Sequence, residues 1–202
     1  MANGEVLPLV MCGDPVLRRP AETLGPEDLA TPAIRRLIAQ MKATMEAAPG
    51  VGLAAPQVGV PVRLAVVQDG PERWGQESTE DLVARGRVPL PFTVVANPVL
   101  TYLDAGGEAA FYEGCLSVPG LTGVVRRHLG VRVEALDEHG QMFSRQYTGW
   151  PARILQHEVD HLAGVLYLDR VEVRSLSTVD NYRDYLARFN AQELAELLGY
   201  QV

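Results

Sequence analysis

Residues 156–161 have the sequence QHEVDH, and this stretch is the starting point for interpreting the chain. His157 and His161 are four positions apart, so they share one face of a helix with 3.6 residues per turn. Imidazole is a common protein ligand for divalent transition metals. Glu158, between the histidines, is the residue type that takes a proton from an attacking water in such sites. A chance match on an ordinary amphipathic helix is the alternative interpretation.

The surrounding sequence predicts that this stretch is helical. Pro151 suits a first helical turn, where its missing N–H costs nothing, and Gly164 suits a C-terminal cap. An apolar stripe lies beside the histidine face: Leu155, Val159 and Leu162. We therefore expect one face of the helix to pack in the core while the other opens on a cavity.

Length and composition predict one domain over residues 1–202, since 202 residues with 47% hydrophobic content can bury a proper core. The net charge of -7 excludes a broad basic surface for nucleic acid. No apolar run approaches the roughly 20 residues that span a bilayer, and we see no secretory signal. Two cysteines favour a reduced cytoplasmic setting over a disulfide scaffold, with Cys12 expected to be buried or half-buried.

Hydrophobic periodicity and turn residues predict the remaining elements. The predicted helices cover 31–48 and, at the C-terminus, 177–198. The predicted strands cover 62–67, 93–95, 99–103, a hairpin of 131–136 with 142–147, and the beginning of 166–173. The polar segment 69–91 is rich in Gly and Pro and reads as a surface insertion with a helical turn at 79–84.

A run of small residues, GVGLAAPQVG, occupies 50–59. Small side chains let a ligand or another backbone approach closely, and Gln57 is the one polar side chain in the run. On local turn chemistry alone, the run is a glycine-rich connection between a helix and a strand. It lacks the Lys-Ser/Thr ending of a phosphate loop, so nucleotide binding is not expected.

A metal site on the 156–161 helix needs a third ligand, for which Cys115 or a carboxylate is a candidate. Cys115 stands in the segment EGCLSVP at 113–119. Thiolate suits zinc and ferrous iron, and two histidines with one cysteine leave a fourth tetrahedral position open. Otherwise a free cysteine is most often a small buried apolar residue.

Three segments, GVGLAAPQ at 50–57, EGCLS at 113–117 and QHEVDH at 156–161, resemble in order the three signature motifs of the peptide deformylases. Each motif alone has limited specificity, whereas the ordered set is highly specific. The resemblance runs from about residue 13 to about residue 169. It implies an α+β fold with antiparallel sheets around a central metal-binding helix. It also implies hydrolysis of the N-formyl group from the initiator methionine of nascent polypeptides, with release of formate.

The resemblance also implies roles for individual residues. The metal ligands would be Cys115, His157 and His161, and Glu158 would act as general base and then acid. The resemblance points to Fe(II), while thiolate and imidazole also accept Zn, Ni or Co. The oxyanion would be stabilised by Gln57 and by the backbone N–H of Leu116.

Substrate contacts follow from the same matching. Val51 and Gly52 would bind the peptide main chain in strand-like fashion. Three residues before the first histidine ligand are candidates for the methionine side-chain pocket: Trp150, Arg153 and Ile154. Many bacterial members carry an arginine seven residues after the ligand cysteine, but this chain has Thr122, so that contact is not carried over. The 149–154 run is more similar to the plant and mitochondrial type than to the enterobacterial type.

Two alternatives stay open at this stage: a zincin-like metallopeptidase and a non-catalytic peptide-binding descendant. Retention of Glu158 and Gln57 argues against the second, because a structural site needs no base. Asp160 either pairs with an arginine such as Arg127 or is a solvated helix charge. We expect formyl-methionyl nascent peptides near the ribosome exit as partners, without nucleic acid or membrane contact. We also expect a monomer or homodimer in the cytoplasm, or in an organelle if a transit peptide has been removed.

Overall fold

The computed structural model describes residues 4–75, 78–103 and 106–201. Its helices are α1 (Pro26–Ala30), α2 (Pro32–Ala47), α3 (Thr79–Ala84), α4 (Gly149–Leu162), α5 (Val179–Asn181) and α6 (Ala191–Leu198). Its strands are β1 (Gly52–Ala54), β2 (Leu64–Asp69), β3 (Leu90–Tyr102), β4 (Glu108–Cys115), β5 (Val118–His128), β6 (Gly130–Leu136), β7 (Met142–Thr148) and β8 (Ser177–Thr178). No helix of the described part is long and apolar enough to cross a membrane.

Two antiparallel sheets surround α4. The first has five strands in the order β1-β2-β3-β6-β7, and the second has three in the order β4-β5-β8. Helix α4 contacts strands of both sheets and buries Ala152, Leu155 and Leu162 with residues of the first. The predicted α+β fold, with antiparallel sheets around the metal-binding helix, is confirmed.

The ends of α4 follow the sequence signals closely. The helix begins at Gly149, two residues before Pro151. It ends before Gly164, which has a φ of 77°, in the left-handed region that favours glycine. A Cβ on Gly164 would lie 2.7 Å from the backbone of Arg18, so the cap also needs a residue without a side chain. Val159 is only half-buried, so the apolar stripe is narrower than predicted.

The helix predicted at 31–48 is α2, which Thr31 caps by accepting a hydrogen bond from the N–H of Ile34. The strands predicted at 93–95 and 99–103 are one strand, β3, with an irregularity near Asn97. Asn97 has a φ of 50° and exchanges two hydrogen bonds with the backbone of Leu24, at 3.0 and 2.6 Å. The Asn-Pro pair therefore bends the strand without ending it.

The predicted 69–91 insertion is shorter in the structure, because both of its ends belong to strands. Asp69 is fully buried at the end of β2 and accepts hydrogen bonds from Arg87 and Trp74. Strand β3 already begins at Leu90. The predicted helical turn at 79–84 is confirmed as α3, and residues 76 and 77 of the insertion lie outside the described residues.

Two predictions near the C-terminus are wrong. The single helix expected over 177–198 is divided into β8, α5, a π-helical turn at Tyr182–Leu186 and α6. The side chains of Thr178 and Asn190 accept backbone N–H groups and start separate helices, which explains the division. Instead of a strand at 166–173 there is a 3₁₀ turn, Tyr167–Asp169, closed by a hydrogen bond from the N–H of Leu166 to Asp169.

Candidate active site

Three predicted ligands meet between α4 and the end of β4. His157 and His161 lie on one face of α4, and Cys115 is the last residue of β4. Their ligand atoms all lie within 4.8 Å of one another, and Cys115 Sγ is 3.2 Å from His161 Nε2. One thiolate and two imidazoles at this spacing fit a single divalent cation with one position left open.

A buried carboxylate fixes the orientation of His157. Glu113 Oε2 lies 3.0 Å from His157 Nδ1, which leaves Nε2 to face Cys115 and His161. Arg127 and Arg153 both donate to Glu113, at 2.9 and 2.7 Å. Burial alone would raise the pKa of Glu113, but hydrogen bonds from His157 and Arg127 outweigh it and hold that pKa far below its usual value. Glu113 is therefore an anion that orients a ligand, as in many metal sites.

The two histidines have opposite electrostatic environments. Burial, reinforced by the positive charges of His157 and Arg127, lowers the pKa of His161 well below its usual value, so its ring is neutral and able to coordinate. Burial also opposes charge on His157, but hydrogen bonds to Cys115 and Glu113 raise its pKa well above the usual value. The contacts with Cys115 and Glu113 thus favour a positive charge on or beside the His157 ring.

Glu158 is buried against β1. Its Oε2 atom has no hydrogen-bond partner in the described part of the chain, and burial raises the pKa of Glu158 to about 7. A Cβ on Gly52 would lie 2.2 Å from Glu158 Oε1, so only glycine leaves room for this carboxylate. A carboxyl group that titrates near neutral pH and lies in a cavity is able to accept a proton and return it.

Gln57 is buried and held at both ends of its amide. Its Oε1 accepts from the N–H of Ala54 at 2.8 Å, and its Nε2 donates towards Cys115 Sγ at 3.5 Å and Ser117 Oγ at 3.3 Å. Leu116 lies in the two-residue turn between β4 and β5. Both residues line the same cavity, so the two predicted donors lie on the side of the cavity that carries Cys115.

The cavity has a volume of about 430 Å³. It is lined by ten of the eleven residues to which the resemblance gives a metal-binding, catalytic or substrate-binding role. These ten are Val51, Gly52, Gln57, Cys115, Leu116, Trp150, Arg153, Ile154, His157 and Glu158. His161 is buried in α4 and is absent from the lining. The sequence motifs therefore converge on one site.

Arg153 and Trp150 contribute in different ways. The guanidinium of Arg153 is buried and donates to Glu113 Oε1, Val125 O and Ala109 O, so its donors serve the protein and not the cavity. Trp150 lies against the edge of Phe111, with ring centroids 6.3 Å apart. Trp150 is thus the better candidate for an apolar pocket wall.

The structure decides one question that the sequence left open, the role of Asp160. Asp160 accepts from Arg127 Nη1 at 2.5 Å and from both Arg170 Nε and Nη2, at 2.7 and 2.8 Å. It is therefore the paired residue and not a solvated charge. Thr122 is buried and donates to the carbonyl of Glu113 at 2.8 Å. Cys12, expected to be at least half-buried, is exposed.

The sequence reasoning missed Glu113, although this residue stands two positions before Cys115. The signal in the sequence was a carboxylate two residues before a predicted ligand, in a chain whose arginines, such as Arg127 and Arg153, could pair with it. It also missed the cavity residues Tyr112 and Val179, for which the sequence carried no signal, because β8 and a helix start place Val179 there.

Comparison with known proteins identifies the family of the chain. A sequence model of the family described as Polypeptide deformylase matches residues 6–176. Peptide deformylase 3 of Streptomyces avermitilis is 54% identical over 208 residues, covering 99% of this chain and 87% of the relative. Peptide deformylase 1 of Streptomyces coelicolor is 49% identical over 203 residues, covering 100% and 90%. The chloroplastic/mitochondrial peptide deformylase 1A of Arabidopsis thaliana is 43% identical over 173 residues, covering 86% and 64%.

Solved structures show the same similarity. The Met-Ala-Ser-bound class I type b peptide deformylase of Acinetobacter baumannii matches with a TM-score of 0.73 and 33% identity, covering 83% of this chain and 99% of that one. The actinonin complex of a peptide deformylase from Synechococcus elongatus matches with a TM-score of 0.68 and 34% identity, covering 100% and 93%. The chain belongs to the peptide deformylase family, metal-dependent hydrolases that remove the N-formyl group from nascent polypeptides.

Proposed function

We propose that this chain uses the cavity between α4 and β4 to hydrolyse the N-formyl group of the initiator methionine. The observation that carries the proposal is that the ligand atoms of Cys115, His157 and His161 lie within 4.8 Å of one another, while Glu158 lines the cavity beside Cys115 and His157. A ligand set and an unpartnered buried carboxylate are both needed for hydrolysis, whereas a structural metal site needs only the first.

Cys115, His157 and His161 would hold the metal. When bound, a divalent cation would lower the pKa of a water and polarise the formyl carbonyl. We propose Fe(II) as the native metal, with Zn, Ni or Co accepted by the same donors, since thiolate and imidazole discriminate weakly among these ions.

Glu158 would move the proton. It would take a proton from the water that attacks the formyl carbon and pass it to the amino nitrogen as the C–N bond breaks. The products are formate and a free amino terminus. A pKa near 7 suits both halves of this transfer, because the same group must accept and donate.

Gln57 and Leu116 would stabilise the negative charge on the former formyl oxygen. The bond from the N–H of Ala54 to its amide oxygen fixes Gln57 with Nε2 beside Cys115. The N–H of Leu116 lies in the tight turn after Cys115. Donors placed in this way are worth about 10²–10³ in rate each.

Strand β1 would bind the peptide main chain. It pairs with β2 along one edge, and Val51 and Gly52 at its start line the cavity. An extended peptide added to such an edge places its first side chain against one wall. Ile154 and Trp150 would supply that wall for methionine, while the polar end of Arg153 remains engaged with Glu113.

The zincin-like alternative predicts a different product. We propose assaying formate release from formyl-Met-Ala-Ser, with the acetylated and the unblocked peptides as controls. Release of formate from the formylated peptide alone supports the proposal. Cleavage of an internal peptide bond would favour the metallopeptidase, and binding without turnover by anaerobically prepared protein would favour the non-catalytic descendant.

We extend the proposal to the setting of the reaction: nascent chains near the ribosome exit, in the cytoplasm, processed by a monomer or homodimer. The bacterial origin of the Streptomyces relatives and the two free cysteines support this setting. Fractionation of the source cells and light scattering of the purified protein test location and assembly.

A further inference from the structure

The C-terminal segment, residues 177–201, follows the region matched by the family and is attached to the strands that build the active site. Strand β8 pairs with β5 through Leu121 opposite Thr178. Tyr112, on β4, donates from its hydroxyl to the carbonyl of Ser175 at 3.0 Å, and its ring lies 4.3 Å from that of Tyr182. The segment therefore has a fixed position relative to Cys115, which ends the same strand.

A helix start places Val179 at the edge of the cavity. The hydroxyl of Thr178 accepts from the N–H of Asn181 at 3.2 Å, so α5 begins at Val179 and the chain leaves β5 there. Val179 lines the cavity and is 45% exposed. Tyr112 and Leu121 line the same cavity. An apolar surface therefore continues from the strands onto the C-terminal segment.

This surface and the proposed methionine wall are two parts of one cavity. Successive residues of a strand point to opposite faces, and on β4 Phe111 packs against Trp150 whereas Tyr112 packs against Tyr182. Trp150 and the C-terminal segment thus pack on two neighbouring residues of β4, Phe111 and Tyr112. An extended peptide whose methionine side chain contacts Trp150 has its later side chains available to contact Tyr112, Leu121 and Val179.

We propose that Val179, with Leu121 and Tyr112, forms a contact site for an apolar side chain following the formyl-methionine, and so sets the sequence preference of the reaction. This inference rests on the proposed function. It assigns Val179 a role in substrate selection and not in the chemical step, because an aliphatic side chain can neither move a proton nor hold a metal ion.

The test compares Val179→Asp with Val173→Asp. Both changes place the same charge on an exposed valine, but Val173, which is 73% exposed, is outside the cavity lining. Aspartate in the first turn of a helix is electrostatically favourable, so Val179→Asp should fold. The substrates are formyl-Met-Ala-Ala, formyl-Met-Leu-Ala and formyl-Met-Ala-Leu.

We expect the wild type to prefer leucine over alanine at one of the two positions. Val179→Asp should reduce that kcat/KM ratio by about fivefold, mainly through KM. Val173→Asp should keep the wild-type ratio. The tripeptide with leucine at the preferred position should bind Val179→Asp more weakly by calorimetry.

An equal leucine-to-alanine ratio in the wild type and Val179→Asp would overturn the inference, as would a wild type without preference at either position. A matching loss in Val173→Asp would overturn it too, since the effect would then come from charge and not from the wall. If the wild type releases no formate from any peptide, the proposed function fails, and tripeptide binding alone still decides whether Val179 contacts the later residues.

Discussion

At the scale of single residues, the site depends on the absence of a side chain at Gly52. A methyl group at this position would lie 2.2 to 2.8 Å from side-chain atoms of Glu158. Burial of Glu158 in this close contact is also what raises its pKa to about 7. Gly52, in the 50–59 run, thus leaves space for the Glu158 carboxylate on the neighbouring helix.

Gly52→Ala should therefore displace the Glu158 carboxylate and lower kcat. General acid–base catalysis contributes typically about 10²–10⁴ in rate, so we expect a loss of roughly 100-fold. Metal content should stay at the wild-type level, because Cys115 and both histidines are untouched. Steady-state kinetics with elemental analysis checks this, and a Gly52→Ala enzyme with normal kcat would contradict it.

Glu113 acts on His157 through one hydrogen bond, so its removal should weaken metal binding. Loss of a partner of this kind costs about 10–100-fold in metal affinity. We expect Glu113→Gln to show that loss in chelator competition. Glu108→Gln removes an exposed carboxylate from the same strand and should bind metal normally. Equal affinities for Glu113→Gln and the wild type would show that Glu113 does not orient the ligand.

The pKa of Glu113 also predicts how stability depends on pH. Its folded-state pKa lies far below the ordinary value of ~4.3, so Glu113 contributes stability that is present above that value and is lost as pH falls towards the folded-state pKa. In metal-free protein, the difference in unfolding free energy between the wild type and Glu113→Gln should be largest near pH 7 and shrink below about pH 4. Urea titrations measure it, and a difference that grows on acidification has the wrong sign.

At the scale of elements, ion pairs of Asp160 connect α4 to neighbouring parts of the fold. This carboxylate joins the helix to Arg127 on β5 and to Arg170 beyond the helix end. The Arg127–Asp160 pair has little access to water, so removing one partner leaves the charge of the other less compensated in a buried setting. The helix that carries both histidines is held by an ion pair as well as by its apolar face.

Asp160→Asn should lower the unfolding free energy by roughly 2 kcal/mol or more, because it leaves Arg127 buried with one fewer anionic partner. Asp184→Asn, at an exposed position in the C-terminal segment, is the matched control and should change stability little. Urea denaturation of both variants gives the comparison. Similar midpoints for Asp160→Asn and the wild type would mean that the pair does not fasten the helix.

The sequence predicted elements well where the signal was local. Helix α2 and the 79–84 turn begin with side-chain caps at Thr31 and Ser78, and both were found at the predicted positions. The C-terminal helix was wrong because Asn190 caps a new helix inside a stretch that looked periodic. The β5–β8 pairing joins residues more than fifty positions apart, and local periodicity carries no information about such pairing.

At the scale of the whole molecule, the predicted metal ligands connect the two sheets. Cys115 ends a strand of the second sheet, while α4 packs on the first. A bound ion would therefore tie these layers together and stabilise the folded state. The resemblance of the three ordered motifs to those of the peptide deformylases predicted which residues meet. The ion pairs of Glu113 involve distant arginines and were not predicted, and only the structure decided that Asp160 pairs with Arg127.

Removing the metal with a chelator should lower the melting temperature and abolish formate release, and adding Fe(II) under anaerobic conditions should restore both. Glu158→Ala should show the same change in melting temperature on chelation, because it keeps all three ligands. Calorimetric scans with and without chelator test this. If chelation leaves the melting temperature unchanged, a bound metal does not stabilise the fold by connecting the two sheets.

Glu158 is proposed to move the proton, while Cys115, His157 and His161 are proposed to hold the ion. The most direct measurement is formate release from formyl-Met-Ala-Ser by wild type and Glu158→Ala, with metal content determined on the same anaerobic samples. We predict equal metal content and a loss of at least about 100-fold in kcat for the variant. Equal turnover by two samples with equal metal content would contradict the claim.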